Sequence, residues 1–137
     1  MGDKFLVSSD GVDLERLKLA LAAGWRLAKD LSTNLTIVVP TISNAPNTIL
    51  RYLLTDRTLA RLCKGEVVRL DGVMTRLYSI RTLNEWDDCG VLLALWGGQK
   101  MLDKIDMCQA AQGTIVFPTL RTDIARWQKK HNAVVIE

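Results

Sequence analysis

Three short apolar runs constrain the fold of this chain more than any other feature. They read LTIVV at residues 35–39, GVLLALW at 90–96 and TIVF at 114–117, and none of them alternates regularly between apolar and polar residues. Strands that face solvent on one side show such alternation, whereas strands covered on both faces read as continuous apolar and β-branched runs. We therefore expect a sheet that is buried on both faces.

Helical patterns separate these runs. Residues 12–31 place leucines and alanines on one face of a helix and charged residues on the other, and Asp10 or Asp13 can cap its first turn. Further helices are predicted at residues 44–63, with a break near Thr55 and Asp56, at 99–112, ended by Gly113, and at 122–130. Two more strands are predicted at 4–8 and 133–136.

A β-hairpin interrupts this alternation. Residues 67–70 and 73–80 are strand-like runs on either side of Asp71 and Gly72. Asp-Gly suits a type I′ turn, because both central residues of that turn need a positive φ. We therefore predict a hairpin over about residues 66–81.

Strands and helices alternate before and after the hairpin, which indicates parallel strands joined by crossover helices. The length of 137 residues matches one domain. We expect one α/β domain over residues 1–137, with a three-layer α/β/α, Rossmann-like fold, a mainly parallel sheet and one inserted β-hairpin.

The composition is that of an ordinary globular protein, with 48% hydrophobic and 24% charged residues. Cys63, Cys89 and Cys108 are odd in number and widely spaced, so they predict neither a disulfide framework nor a zinc site. The apolar run at 90–98 is far shorter than the roughly 20 residues that a membrane helix needs. We expect a cytoplasmic protein without a membrane span or a bound metal.

Two of the apolar runs continue into similar segments, TIVVPTISN at 36–44 and TIVFPTLRT at 114–122. Proline has no N–H to give to a neighbouring strand, so Pro40 and Pro118 mark where pairing stops and the chain turns outward. The similarity does not extend beyond these nine residues. We interpret it as one kind of strand-to-helix corner used twice, not as a duplicated half-domain.

Small and hydroxylic residues follow the predicted strands. In an open parallel sheet the ligand crevice lies outside the carboxyl ends of the strands, where helix N-termini offer free N–H groups. An arginine at such a place can neutralise a phosphate or a carboxylate. We predict a site for a small anionic or nucleotide-like ligand, formed by Ser9, Thr41, Ser43, Asn44, Gly97, Gly98, Thr119 and Arg121.

Neither a cofactor nor a reaction follows from these residues. Helix caps and turns also prefer them, and the phosphate-loop patterns G-x-G-x-x-G and G-x-x-x-x-G-K-[ST] are absent from the sequence. His131 follows the last helix, and Glu85, Asp87 and Asp88 precede a strand, so both groups are predicted at the end of the sheet opposite the crevice. The sequence assigns no catalytic residue.

A basic ridge is predicted on the second helical region. Arg57, Arg61 and Lys64 recur at i, i+4 and i+7 and therefore share one face of a helix. The net charge of +3 is small for a nucleic-acid-binding protein, and no aromatic residue is interleaved with these three. We expect a solvated face and no nucleic-acid partner.

Residues 4–40 resemble in outline the opening of universal stress proteins, with an apolar strand, Asp-Gly, an alanine-rich helix and a second strand. They read KFLVSSDGVDLERLKLALAAGWRLAKDLSTNLTIVVP and cover about a quarter of the chain. The glycine pattern that this family uses later for nucleotide phosphates is absent here. The resemblance therefore implies a β-α-β opening and carries over no ATP-binding residue.

A different class of function competes with the ligand site. The chain can be a non-catalytic protein-interaction or oligomerisation module, as a homo-oligomer or as one part of a larger protein. In that interpretation the polar corners are only helix caps, and the hairpin or the tryptophans form the interface.

Overall fold

The computed structural model describes residues 3–7, 14–42, 48–84, 89–96, 98–108, 110–118 and 121–136. Its strands are β1 (Asp3–Val7), β2 (Leu35–Val39), β3 (Val68–Leu70), β4 (Val73–Ser79), β5 (Val91–Leu95), β6 (Gly113–Phe117) and β7 (Val134–Ile136). Its helices are α1 (Leu14–Asp30), a 3₁₀ helix (Ile49–Tyr52), α2 (Asp56–Cys63), α3 (Gln99–Asp106) and α4 (Arg121–His131). The predicted alternation of strands and helices is thus confirmed for these segments.

The strands form one mostly parallel sheet. Within the described residues it has seven strands in the order β3-β4-β2-β5-β6-β1-β7, and β3 alone is antiparallel to its neighbour. Asp71 and Gly72 join β3 to β4 with φ values of 51° and 78°, as a type I′ turn requires. The predictions of an α/β fold, a mainly parallel sheet and an inserted hairpin are therefore confirmed.

Both faces of the central strands are buried, which explains the continuous apolar runs. One hydrophobic core contains the buried residues of α1 and α2 together with the in-register row Ile37, Leu93 and Ile115. The other contains those of α3, Trp127 of α4 and the next row, Val38, Ala94 and Val116. Each large apolar side chain buried in this way contributes about 1.5–3 kcal/mol.

Helix α1 ties the hairpin to the rest of the sheet. The indole Nε1 of Trp25 donates a hydrogen bond to Oγ1 of Thr75 in β4, with 3.2 Å between the two atoms. Nζ of Lys29 lies 3.0 Å from Oδ2 of Asp71 in the hairpin turn. In the described part of the chain, neither α1 nor any other helix combines the length and the apolar character that crossing a membrane requires.

The break in the second helical region lies where it was predicted. Thr55 is the N-cap of α2, and its Oγ1 accepts a hydrogen bond from the N–H of Thr58 at 3.1 Å. The 3₁₀ helix precedes this cap, and Oγ1 of Thr48 accepts from the N–H of Leu50 at 3.3 Å. The start predicted for this region, at residues 44–47, lies outside the described residues.

The prediction that Gly113 ends the third helix is wrong. Helix α3 already ends at Asp106, and Gly113 is the first residue of β6. The N–H of Gln112 donates to the carbonyl of Gly90 at 2.7 Å, so the chain has rejoined the sheet before residue 113. A Cβ on Gly113 would lie 2.7 Å from Cδ2 of Leu27 in α1, so a larger residue here would require the Leu27 side chain to shift.

Gly90 combines a left-handed backbone with a crowded site. Its φ is +63°, and a Cβ there would collide with O and Oδ1 of Asn34 and lie 2.9 Å from Oγ1 of Thr33. Gly65 has a φ of +86° but no atom within 4 Å of such a Cβ. We expect Gly90→Ala to lower the free energy of unfolding by about 3 kcal/mol or more and Gly65→Ala by about 1 kcal/mol. Urea denaturation measures both, and equal losses would contradict the role assigned to the contacts with Asn34.

Asp106 joins the C-terminal ends of α3 and α4. Its Oδ1 accepts a hydrogen bond from Nε1 of the buried Trp127 at 3.0 Å, and its Oδ2 lies 3.6 Å from Nζ of Lys130. Nε2 of His131 lies 3.0 Å from Oδ1 but outside hydrogen-bond geometry, so this contact is an ion pair only when the imidazole is protonated.

Replacing Asp106 by alanine leaves the buried Trp127 indole N–H without its acceptor. We expect a loss of about 2 kcal/mol in the free energy of unfolding. Asp103→Ala is the matched control, because Asp103 lies exposed on the same helix and accepts a hydrogen bond from the exposed Gln99 at 2.7 Å. This control is expected to cost less than about 0.5 kcal/mol. Similar losses in chemical denaturation of the two variants would argue against the α3–α4 link.

Candidate functional site

The carboxyl ends of four neighbouring strands lie at one rim of the sheet. Strands β2, β5, β6 and β1 are adjacent and parallel, and Leu95 pairs with Phe117 at the ends of β5 and β6. These are the strands that precede the four polar segments predicted to form the site. The two Pro-Thr corners follow β2 and β6, which have only β5 between them.

The chain leaves β2 and β5 in opposite directions. After β2 it passes through α2, whose buried Leu59 and Leu62 lie in the same core as α1, and reaches β4 on one side. After β5 it passes through α3, whose buried Met101 and Ile105 lie in the other core, and reaches β6 on the other side. Two adjacent parallel strands whose connections diverge in this way form a topological switch point, where open α/β sheets have their crevice.

Helix α3 begins beside this switch point without a side-chain cap. Gly98 is its N-cap residue, and its carbonyl accepts from the N–H groups of Met101 and Leu102 at 3.1 and 3.2 Å. A Cβ on Gly98 would meet no atom within 4 Å, so the space next to it is open. The first turn of α3 contains no acidic residue. The positive end of the helix dipole and the first N–H groups can therefore receive an anion.

Trp96, at the end of β5, has a backbone conformation that is rare for a bulky residue. Its φ is +57°, in the left-handed region, where a residue other than glycine costs about 1–3 kcal/mol. Its N–H donates to the carbonyl of Phe117 at 2.9 Å, and its ring meets that of Phe117 edge to face at 6.2 Å between centroids. Such strain is concentrated at functional sites. Sequence reasoning placed Trp96 at a strand end but did not predict this turn.

The structure describes only part of the predicted ligand set. Thr41 is exposed two residues beyond β2, and Gly98 is the N-cap of α3. Arg121 is the first residue of α4, the helix that follows β6, and β6 is the neighbour of β5 in the sheet. The side chain of Arg121 lies outside what is described, as do the residues Ser9, Ser43, Asn44, Gly97 and Thr119. Their common site stays a prediction, supported by the order of the strands that precede them.

The other titratable candidates lie elsewhere. His131 ends α4 and contacts Asp106 at the rim from which β7 begins, opposite the carboxyl ends of the strands. Glu85, Asp87 and Asp88 are outside the described residues. Among those that are described, no three His, Cys, Asp or Glu side chains lie close enough to hold a metal ion.

Cys63 is the partly exposed thiol near the crevice. Its Sγ lies 3.8 Å from the carbonyl oxygen of Ile42, to which the S–H donates. Burial raises the pKa of the Cys63 thiol above its ordinary value. Because the thiolate is the nucleophilic form, a raised pKa disfavours this cysteine as a nucleophile at neutral pH.

A concave region lies at the β7 edge of the sheet. It is a groove of about 180 Å³ between α1 and strands β1, β6 and β7. Its apolar walls are formed by Phe5, Ala23, Leu27, Ile115 and Ile136, and the exposed Arg26–Asp30 ion pair also lines it. The neighbouring edge strand β7 leaves Val134 59% and Val135 38% exposed.

No protein-family model, no curated protein and no solved structure matches this chain. What the chain binds is therefore inferred from its own residues and from where the fold places them.

Proposed function

We propose that this chain is a small-ligand-binding domain with a three-layer, Rossmann-like arrangement, and that its ligand is an anionic or nucleotide-like molecule at the carboxyl ends of the strands. The observation that carries the proposal is the start of α3: an N-terminus without a side-chain cap, open above Gly98, beside the switch point between β2 and β5. An anion there gains hydrogen bonds from backbone N–H groups and a favourable interaction with the helix dipole.

The remaining predicted residues complete the proposed site. Helix α4 follows β6, the neighbour of β5, so its first residue, Arg121, can neutralise the same ligand. Thr41 follows β2 on the other side of the crevice. The proposed hydroxyl and amide contacts come from Ser9, Thr41, Ser43, Asn44 and Thr119, and Gly97 and Gly98 allow the ligand to approach the backbone closely.

We also propose that the protein acts in the cytoplasm. No disulfide joins any two of Cys63, Cys89 and Cys108. Cysteines without disulfide bonds are typical of proteins in a reducing compartment. This supports the location and assigns no reaction.

The site is tested by placing a carboxylate at the N-cap of α3. Aspartate is a better N-cap than glycine, so Gly98→Asp is expected to raise the stability of the free protein by a few tenths of a kcal/mol. The same carboxylate occupies and repels an anion site. A thermal-shift screen with nucleotides, sugar phosphates and carboxylates at millimolar concentration should therefore raise the Tm of the wild type by at least ~2 °C and leave that of Gly98→Asp unchanged.

Two controls accompany this experiment. Gly98→Ser gives α3 a neutral cap and is expected to retain most of the ligand-induced shift. Arg121→Ala is expected to lose the shift, whereas Arg126→Ala, at an exposed position on the same helix, is expected to keep it. A wild-type Tm that no ligand changes, or a full shift in Gly98→Asp, would contradict the proposal.

A homo-oligomer formed at the β7 edge is the second candidate function. The observation that favours it is the exposed pair Val134 and Val135 beside an apolar groove. An edge strand of this kind can pair with a second copy, and the exposed Arg26–Asp30 pair can offer each of its charges to the opposite charge of that copy.

This candidate is tested by a charge on the edge strand. Val134→Lys is expected to convert a concentration-dependent dimer into a monomer in sedimentation or light-scattering measurements, because a lysine blocks strand pairing. Met74→Lys is the matched control, since Met74 is 44% exposed in β4, near the opposite edge of the sheet. A wild type that is monomeric at every concentration contradicts this function.

A further inference from the structure

The outer surface of the 3₁₀ helix and α2 combines arginines, a lysine and an aromatic ring. Leu50 of the 3₁₀ helix, Leu54 between the two helices, and Leu59 and Leu62 of α2 are buried in one core. The outward residues are exposed, and we call them the basic surface: Arg51, Tyr52, Arg57, Arg61 and Lys64. Because both helices pack on the same core, their exposed residues lie on the same side of the protein.

Most of the net charge of the chain lies in this segment. Residues 48–66 carry four basic and two acidic side chains, so the segment has a net charge of +2, compared with +3 for the whole chain. Glu66 pairs with Arg61 at 3.2 Å, and Asp56 lies in the first turn of α2, where an acid is favourable in any helix. Within the described residues, Arg57 and Lys64 pair with no carboxylate, so their charges face solvent.

Tyr52 supplies an exposed aromatic ring close to the basic residues. No aromatic residue is interleaved with Arg57, Arg61 and Lys64 in the sequence, and this argued against a nucleic-acid partner. It is 68% exposed, which is high for so large an amphipathic side chain. The guanidinium of Arg51 lies over its ring, 5.7 Å from the centroid. The guanidinium therefore places a positive charge beside an exposed ring, and a nucleobase can stack on that ring.

We propose that the basic surface binds single-stranded nucleic acid. Tyr52 and Arg51 stack against a base, and Arg57 and Lys64 contact the phosphates that follow it. These two cations lie about 10 Å apart along α2, as seven residues of helix require. The binding is sequence-tolerant, because every base has a face that can stack.

The surroundings of Tyr52 favour a nucleic acid over a lipid surface. Peripheral binding to a bilayer needs an apolar helix face that enters the headgroup region. The leucines of both helices are buried in the core and are therefore not free to do so. The sheet separates this surface from α3, which packs in the other core, so the proposal is independent of the ligand crevice at Gly98.

Fluorescence anisotropy tests the proposal with labelled thymidine and uridine oligonucleotides of about 16 nucleotides. The wild type is expected to bind both at micromolar concentration in low salt, with a slope of log K against log salt of about −1.4 for the two phosphates that Arg57 and Lys64 neutralise. Tyr52→Ala should weaken binding about tenfold without changing this slope. Tyr52→Phe should restore the affinity, because it keeps the ring.

The salt dependence of the affinity distinguishes the contribution of the charged residues from that of the Tyr52 ring. Arg57→Ala is expected to lower the magnitude of the slope by about 0.7, which corresponds to one phosphate contact. Arg126→Ala, which removes an exposed arginine of α4, is expected to change neither affinity nor slope. The Gly98→Asp variant should bind the oligonucleotides as the wild type does.

Three results would overturn the proposal. One is the absence of binding at low salt, and another is equal weakening by Arg57→Ala and Arg126→Ala, which indicates only a general attraction between charges. The third is that the wild type binds vesicles containing phosphatidylserine but neither oligonucleotide, and that Tyr52→Ala loses this vesicle binding. Circular dichroism spectra of all variants establish that each is folded.

Discussion

The burial of both faces of β2, β5 and β6 is the constraint on which the rest of this structure depends. Ile37, Leu93 and Ile115 form one in-register row, and the adjacent row faces the opposite core. A shift of one residue in any of these strands would exchange its two faces and misplace every packed helix. The same register aligns the carboxyl ends of these strands along one rim of the sheet. The position of this rim therefore depends on core packing and not on the loops that follow the strands.

Local signals in the sequence were sufficient for most elements. The Asp71-Gly72 turn and the Thr55 cap depend on the conformational preferences of a few consecutive residues, and both lie where the sequence indicated. The end of α3 was misjudged because Gly113 belongs to β6, where it pairs with Asp3 and Val91, two residues that are distant from it in the chain. Strand order and the left-handed turn at Trp96 depend on such distant contacts too, so the sequence could suggest shared strand ends but not their adjacency.

The same helices serve the core and the surfaces proposed for binding. In α2, the leucines at positions 59 and 62 hold the helix on the sheet, which leaves Arg57, Arg61 and Lys64 on its outer face. In α3, Met101 and Ile105 fix the helix so that its N-terminus lies at the rim. Because the two helices belong to different cores, a substitution in one surface can be interpreted without reference to the other.

The position of β1 between β6 and β7 has a consequence for synthesis on the ribosome. Residues 3–7 are synthesised well before the strands that pair with them, which come from residues 113–136. Forming these contacts closes most of the chain into one loop, and pairings so distant in sequence form slowly. In the nascent chain, β2, β3, β4 and β5 can pair with one another before the strands that pair with β1 have been synthesised. Until β6 emerges, the open side of β5 is an exposed edge, and chaperone binding at that stage would protect the chain from aggregation.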